Sequence, residues 1–370
     1  MEDLDPETRV LLDEYGFDER QFEDLRARLR DGAAGVGRNQ IAGVIAAPAP
    51  SDMHRLPARG SAERAVLEAR GLDALRAGEV GCVVLAGGMA TRFGGVVKAC
   101  VDCLPGRTFL ALKLADVRRS AEQALVPVPV LMMSSFATHA ELCAAVERVQ
   151  SPLAPVDVFP QFVSLRLAPD GTLFRDAAGQ PSPYAPGHGD LTFALVQSGA
   201  LERFVSAGGK TLLMSNVDNL AATLDPAVIG AHLEAGAEMT VEVVARLKGD
   251  PGGAPLRVDG KLQIVEDFRL PRGFDRDSLP VFNTNTFVLD AQALTRDFPL
   301  TWFAVRKEVD GREAIQFEHL VGELSVHLEC ALLEVPREGA DARFLPVKDP
   351  EELARRLPDI EAVLRARGVL

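Results

Sequence analysis

Residues 80–98 read VGCVVLAGGMATRFGGVVK. The opening six positions are apolar or small, with the length and β-branched content of a strand buried on both faces, and they run directly into a glycine-rich stretch that ends in Lys98. Ligands of open α/β sheets bind beyond the carboxyl ends of the strands, and a glycine-rich turn there lets backbone N–H groups approach phosphate oxygens. Gly87, Gly88 and Lys98 are therefore phosphate-binding candidates. Two common fingerprints are excluded: GxGxxG is absent, and Ala99 stands where GxxxxGK[ST] requires a hydroxyl. The alternative reading is a tight strand-to-helix turn with an exposed lysine.

Working outward, residues 61–77 read as a helix broken by Gly78. Apolar runs recur at 128–135 (VPVLMMSS), 211–216 (TLLMSN) and, more alternating, 239–246 (MTVEVVAR), with helical stretches between them. This alternation predicts an α/β fold with a Rossmann-like, mixed but mostly parallel sheet flanked by helices on both faces. Strand-like stretches at 261–265, 282–288 and 344–347 complete the sheet and its insertions. Leu11, Leu12, Phe17, Phe22, Leu25 and Leu29 form a helical stripe, so an N-terminal helical segment is expected, followed from Asp31 to about Gly60 by an irregular connection. The expected division is 1–60 helical segment and linker, 61–350 catalytic domain, and 351–370 a terminal helix.

With 53 acidic and 40 basic residues the net charge is -13, so nucleic acid and anionic membranes are disfavoured partners and any bound phosphate needs a local positive pocket. The amino end carries no secretory signal, no run is long enough to span a bilayer, and the five cysteines are too sparse for a disulfide framework. A cytoplasmic protein with reduced thiols is expected. Cys100 and Cys103 make a CxxC, but no second pair completes a zinc site.

Three further segments concentrate polar chemistry at loop positions. SPYAPGHGD (182–190) is too punctuated by proline and glycine to be core. SNVDN (215–219) ends a buried strand in Asn216, Asp218 and Asn219, and a single carboxylate there suffices for Mg²⁺ when substrate phosphates supply the remaining ligands. RFLPVK (343–348) ends another short apolar stretch in a second cation, Lys348.

In this order, the segments LAGGMATRFGGVVK, FPQF, APGHGD, SNVDNLAATLD, DPGG, FNTN, QFEH and RFLPVK resemble the UDP-sugar pyrophosphorylase family, specifically its eukaryotic-type UTP:glucose-1-phosphate uridylyltransferase branch, over roughly residues 75–350. The resemblance implies a GT-A-like nucleotidyltransferase sheet and a Mg²⁺-dependent reaction of UTP with a sugar 1-phosphate, most simply glucose 1-phosphate. It also implies roles. Lys98 and Lys348 would be catalytic cations on the phosphates. Leu85, Gly87, Gly88, Thr91, Arg92, Gln161 and the backbone of Gly189 would bind the nucleotide, with Gln161 and Gly189 reading the uracil edge. His188, Asn216, Glu266, Asn283 and Asn285 would face the sugar phosphate, and Asp218 would hold Mg²⁺.

Four departures from the family pattern carry expectations of their own. Ala90 replaces a loop glycine, which puts the loop shape in question, and Val97 replaces the proline before the lysine. DPGG lacks the lysine of the family's DxKGG, and Thr286 follows FNTN. The family's C-terminal β-helix has no counterpart before residue 370, so a monomer is expected. The rival readings are UDP-N-acetylglucosamine pyrophosphorylase activity, a catalytically silent UDP-sugar-binding protein, and a glycosyltransferase, the last disfavoured because NVDN offers one carboxylate rather than a spaced pair.

Overall fold

The run after Glu79 forms the strand its composition predicts. In the computed structural model, which describes residues 4–250 and 252–370, eight strands make the main sheet. In chain order they are β1 (Met53–Arg55), β2 (Val80–Leu85), β3 (Val130–Ser134), β4 (Val156–Pro160), β5 (Thr211–Asn216), β6 (Met239–Ala245), β7 (Val281–Asp290) and β8 (Cys330–Glu334). Their spatial order is β1-β8-β6-β7-β5-β2-β3-β4, and β7 alone runs antiparallel to its neighbours. The α/β, mostly parallel expectation therefore holds. Residues 1–3 of the N-terminal segment and Pro251 of DPGG lie outside the described residues. Among the described residues no helix is long and apolar enough to cross a membrane.

Alternation along β2 distributes side chains to two buried layers. Cys82 and Val84 face one layer with Val130, Met132, Leu110, Leu114, Val228 and Val363. Val83 faces the other with Leu131, Leu212, Phe287, Leu195 and Phe204. The first layer is covered by helices α3 (Ala62–Arg76), α4 (Phe109–Ala124), α5 (His139–Val149), α8 (Pro226–Ala235) and α9 (Pro350–Ala366), and the second by α6 (Leu191–Gln197) and α7 (Ala200–Ser206). Helices α3 and α8 touch backbone to backbone. A Cβ on Gly71 would lie 1.8 Å from the Pro226 carbonyl oxygen, and one on Gly230 2.0 Å from that of Leu67, so no larger residue fits at either position.

The N-terminal segment is two capped helices, α1 (Pro6–Glu14) and α2 (Glu19–Arg30), whose first turns are closed by Asp5 and Asp18. Gly16, at φ +66°, makes the turn between them. Leu12, Phe22 and Leu25 pack on Val163, Leu165, Ile315 and Phe317, which ties this segment to the hairpin Phe303–Val309 with Arg312–Glu318.

Two expectations need correction. The stretch from Asp31 to Gly60 is not only a connection, because β1 pairs in parallel with β8 at the sheet edge and Ile45–Ala46 pairs with Ala254–Val258. Strands of two or three residues amid Pro and Gly leave no periodicity to read. Residues 344–347 are not a strand: they make one isolated bridge, Pro346 with Asn219. Proline offers no N–H to a ladder, and the Leu345 N–H is spent on the Asn219 side chain at 3.0 Å.

Behind that bridge lies a dense set of buried charges. The Arg343 guanidinium donates to both oxygens of Glu242 at 2.7 and 2.5 Å, and both side chains are fully buried. Arg343 also donates to the Thr223 carbonyl at 3.0 Å. Asp225 accepts from Arg64 at 2.6 Å and Arg367 at 2.5 Å. Burial alone would raise the Asp225 carboxyl, but Arg367, Arg343 and Arg64 outweigh it and hold it at about 2. Removing one member of a buried pair strands the other charge, at a cost of about 3–5 kcal/mol. Urea unfolding of Arg343→Met should show a loss of this size, and the double variant Arg343→Met with Glu242→Leu should recover most of it. An unchanged midpoint for the single variant would contradict the role given to the pair.

Candidate functional site

β2 and β5 lie side by side in parallel, in register from Thr211 with Val80 to Asn216 with Leu85. Their carboxyl ends thus bring the glycine-rich loop and the SNVDN loop to one edge of the sheet, where open α/β sheets bind ligands. The Val217 N–H donates to the Leu85 carbonyl at 3.1 Å, stitching the two loops together at their root.

The glycine-rich loop folds back as a small hairpin, Met89–Ala90 against Val96–Val97, with Gly94 and Gly95 at φ +89° and +79° in its tip. The hairpin returns the chain so that the Lys98 N–H meets the Gly88 carbonyl at 3.3 Å. Gly87 is required by packing, since a Cβ there would lie 2.5 Å from Gln161 Nε2, whereas Gly88 has open space before it. The doubt raised by Ala90 is removed: its φ is −81°, a conformation any L-residue adopts, and its methyl is buried. Val97 holds φ −65°, the value a proline ring would impose, so the approach to Lys98 keeps the same course. Thr91 and Arg92 are exposed on the hairpin, and Arg92 stands 3.9 Å from Asp349.

The Lys98 ammonium is the centre of the site. It donates to the Val347 carbonyl, lies 3.5 Å from Asp218 Oδ2, and sits over the Phe93 ring at 5.0 Å. Lys348 follows Val347 directly and its side chain is exposed. The segment that carries Lys348 is thus brought to Lys98, 250 positions earlier in the sequence, with Asp218 on the same ammonium. Burial raises the Asp218 carboxyl, and Lys98 only partly counteracts this. The SNVDN loop is held to RFLPVK from the other side: Asn219 Nδ2 donates to the Arg343 carbonyl at 3.0 Å and its Oδ1 accepts from the Leu345 N–H at 3.0 Å.

A second group of predicted residues gathers beyond Asn216. Asn285 Nδ2 donates to Asn216 Oδ1 at 3.1 Å, and the Asn285 N–H donates to Asn283 Oδ1 at 2.9 Å. Asn285 holds φ +56°, a left-handed conformation that asparagine accepts more readily than most residues and that turns its amide toward β5. The Asn283 N–H donates to the Gly253 carbonyl at 2.9 Å, and Glu266 packs against Gly253 with burial raising its carboxyl. One continuous polar wall therefore runs from Asn216 to Glu266.

The third group flanks the loop on the β4 side. Gln161, nearly buried, donates its N–H to the Ser134 carbonyl and leaves its side-chain Oε1 without a hydrogen-bond partner. The Gly189 N–H donates to the His319 carbonyl at 3.0 Å, and glycine is needed because a Cβ would lie 2.4 Å from the His319–Leu320 peptide. His188 Nδ1 accepts from the Val321 N–H at 3.0 Å, which puts the ring proton on Nε2, and burial lowers its pKa, so the ring is a neutral donor.

Two supporting residues gave no sequence signal. Lys113, buried within α4, donates to the Asn219 carbonyl at 3.1 Å and the Ala222 carbonyl at 2.6 Å, and burial pushes its ammonium down to about 8. Ser135 Oγ donates to the Gly87 carbonyl at 2.8 Å. A lysine on a helix and a serine after a strand are too ordinary to single out. The CxxC carries no reactive thiol, as burial pushes Cys100 to about 11 and Cys103 to about 12.

The family model for UTP--glucose-1-phosphate uridylyltransferase matches residues 52–357. Among curated proteins, the chain is 28% identical over 294 residues to UTP--glucose-1-phosphate uridylyltransferase 2 of Dictyostelium discoideum, covering 75% of this chain and 58% of that protein. It is 29% identical over 300 residues to the Hordeum vulgare UTP--glucose-1-phosphate uridylyltransferase, covering 76% and 63%. The chain thus spans about three-fifths of the length of these relatives. In fold it is similar to the uridine diphosphate N-acetylglucosamine pyrophosphorylase of Trypanosoma brucei, with TM-score 0.77, 20% identity and coverage of 95% and 79%. The UDP-glucose pyrophosphorylase of Leishmania major gives TM-score 0.67, 23% identity and coverage of 90% and 74%.

The loop geometry generates a direct check. Because Ala90 needs no positive φ and buries its methyl, Ala90→Gly adds unfolded-state freedom and loses that burial, and should destabilise the protein by roughly 1–2 kcal/mol. Urea unfolding measures this, and a stabilised variant would mean that the loop prefers the glycine after all.

Proposed function

Because the chain belongs to the UTP--glucose-1-phosphate uridylyltransferase family, we propose that it transfers the uridylyl group of UTP to a sugar 1-phosphate, with glucose 1-phosphate as the favoured acceptor, and releases pyrophosphate. The observation that carries this reading is the convergence of Lys98, Asp218 and the segment bearing Lys348 at the rim of the glycine-rich loop. The acceptor phosphate is already anionic near neutral pH, so its oxygen attacks the α-phosphorus without a general base. What the reaction needs is relief from repulsion between two polyanions, supplied by fixed cations and amide dipoles.

In this mechanism the Gly88 side of the loop, open to solvent, receives the triphosphate. Lys98 exchanges its carbonyl and carboxylate partners for the α-phosphate and stabilises the charge that develops as pyrophosphate leaves. Lys348, exposed beside it, holds the phosphate of the sugar. Gln161 offers its unpartnered carbonyl oxygen to the N–H edge of uracil, and the Asn216, Asn285, Asn283 and Glu266 wall faces the sugar hydroxyls.

The residues present fit a magnesium ion of one particular kind. Among the described residues no group of three or more His, Cys, Asp or Glu could hold a metal, so an ion held by Asp218 would need phosphate oxygens and water to complete its shell, as Mg²⁺ commonly accepts. When bound, Mg²⁺ supplies charge neutralisation on the triphosphate. The reading also takes the protein to be cytoplasmic, in keeping with five cysteines that are all unpaired.

The test is to incubate the protein with UTP, Mg²⁺ and a panel that includes glucose 1-phosphate and N-acetylglucosamine 1-phosphate, then measure pyrophosphate and identify the nucleotide sugar. Formation of UDP-glucose is expected, and binding of UDP-glucose with no pyrophosphate release from any acceptor would mark a silent binding protein. Lys98→Ala should lower turnover by roughly a hundredfold or more, the scale of losing one transition-state contact. Near-normal turnover in that variant would remove Lys98 from the mechanism.

A further inference from the structure

On the far side of the APGHGD loop, between α2 and the 298–302 turn, lies a cavity of about 470 Å³ that the uridylyl-transfer mechanism does not use. Six aromatic rings contribute to its walls: Phe17, Phe22, Phe162, Phe193, Phe298 and Trp302. Among the described residues that line it none is Lys or Arg, whereas Asp18 and Asp190 both face it. This composition is opposite to that of the Lys98 cleft, and it repels phosphates.

The polar groups at the inner wall are incomplete. Asp190 and His319 are almost wholly buried, yet Asp190 Oδ2 and His319 Nε2 have no hydrogen-bond partner. His319 Nδ1 lies 3.3 Å from Asp190 Oδ1, so a proton on Nδ1 leaves Nε2 as an acceptor. Asp190 Oδ2 and His319 Nε2 are thus two buried polar atoms, one on each member of this pair, that lack partners, and burial raises the Asp190 carboxyl. The Trp302 indole covers the His319 ring, with centroids 3.6 Å apart, and Phe193 packs on the same imidazole at 5.5 Å.

We propose that this cavity is a second binding site, for a flat aromatic cation of the amidine or amino-heterocycle class, whose N–H edge reaches Asp190 and His319 while its ring lies among the aromatic walls. Aromatic faces and a carboxylate without a cation both attract such a group. The ligand displaces Trp302 from His319 to reach these two atoms. Since Asp190 directly follows Gly189, and the His319 carbonyl accepts the Gly189 N–H, an occupant also bears on the loop proposed to flank the nucleotide.

Trp302 is the only tryptophan in the chain, so its emission reports on the cavity wall directly. Benzamidine is the probe, with benzamide and benzoate as neutral and anionic matches of the same shape, each followed by tryptophan fluorescence and by calorimetry on the full chain. Benzamidine should give a saturable change in both, benzamide should bind roughly tenfold or more weakly, the scale of losing a charge-assisted contact, and benzoate should not bind. Gln21→Lys places a cation at the rim on α2, outside the proposed catalytic cleft, and should weaken benzamidine by about tenfold or more with an unchanged thermal midpoint. Asp190→Asn should weaken it as well. Absence of saturable benzamidine binding, equal binding of benzoate, or full affinity in Gln21→Lys would each overturn the assignment.

Discussion

The buried Arg343–Glu242 pair is the constraint on which the candidate site depends. Glu242 sits on β6 in the interior of the sheet, and Arg343 reaches it from the segment that carries Lys348 five positions later. Burying two charges costs free energy that mutual attraction repays only when the remaining donors are also satisfied. Here the same guanidinium donates to the Thr223 carbonyl, in the loop that began at Asp218. One side chain therefore fixes the distance between a sheet strand, the metal-candidate loop and the second lysine. Asn219 closes the remaining gap by bonding both Arg343 and Leu345, and Lys113 ties down the loop from beneath. The polar core does not exist to add net stability. It gives two irregular segments a single relative position.

The fold was legible because its signals are local. The apolar run before Gly87 and Gly88, and the largely apolar runs that start at 130, 211 and 239, carry the composition of buried strands. β1 was not legible, since three residues in a stretch rich in proline become a strand only when β8 is there to pair with them. The same applies in reverse to 344–347, where β-favouring residues remain unpaired because Asn219 takes the N–H that a ladder would need.

At the site, residue types were legible and partners were not. The glycines, Lys98 and Asp218 suggest phosphate chemistry by type and by position after strands, and Lys348 by type and by the resemblance of RFLPVK. That Gly189 is required for contact with the His319–Leu320 peptide is a tertiary fact, and no spacing in APGHGD encodes it. Ala90 shows the opposite error. A family pattern made a methyl group look costly, yet the backbone at this position holds a negative φ and the methyl fills a buried gap.

The proposed chemistry also explains why Lys98 is partnered as it is. An ammonium left without a counter-charge in a partly closed cleft would favour its neutral form, and one locked in a tight bidentate pair could not release its partner to a substrate. The Val347 carbonyl and an Asp218 oxygen at 3.5 Å sit between these limits. The carbonyl orients the amine, while the longer contact holds the carboxylate beside it. When a triphosphate enters, Lys98 and Asp218 can part at small cost, each toward a ligand of opposite charge: the lysine toward phosphate, the carboxylate toward a cation. The contact thus holds both groups in place before the substrates arrive, and the clamp formed by Arg343, Asn219 and Lys113 fixes the segments that carry Asp218 and the Val347 carbonyl.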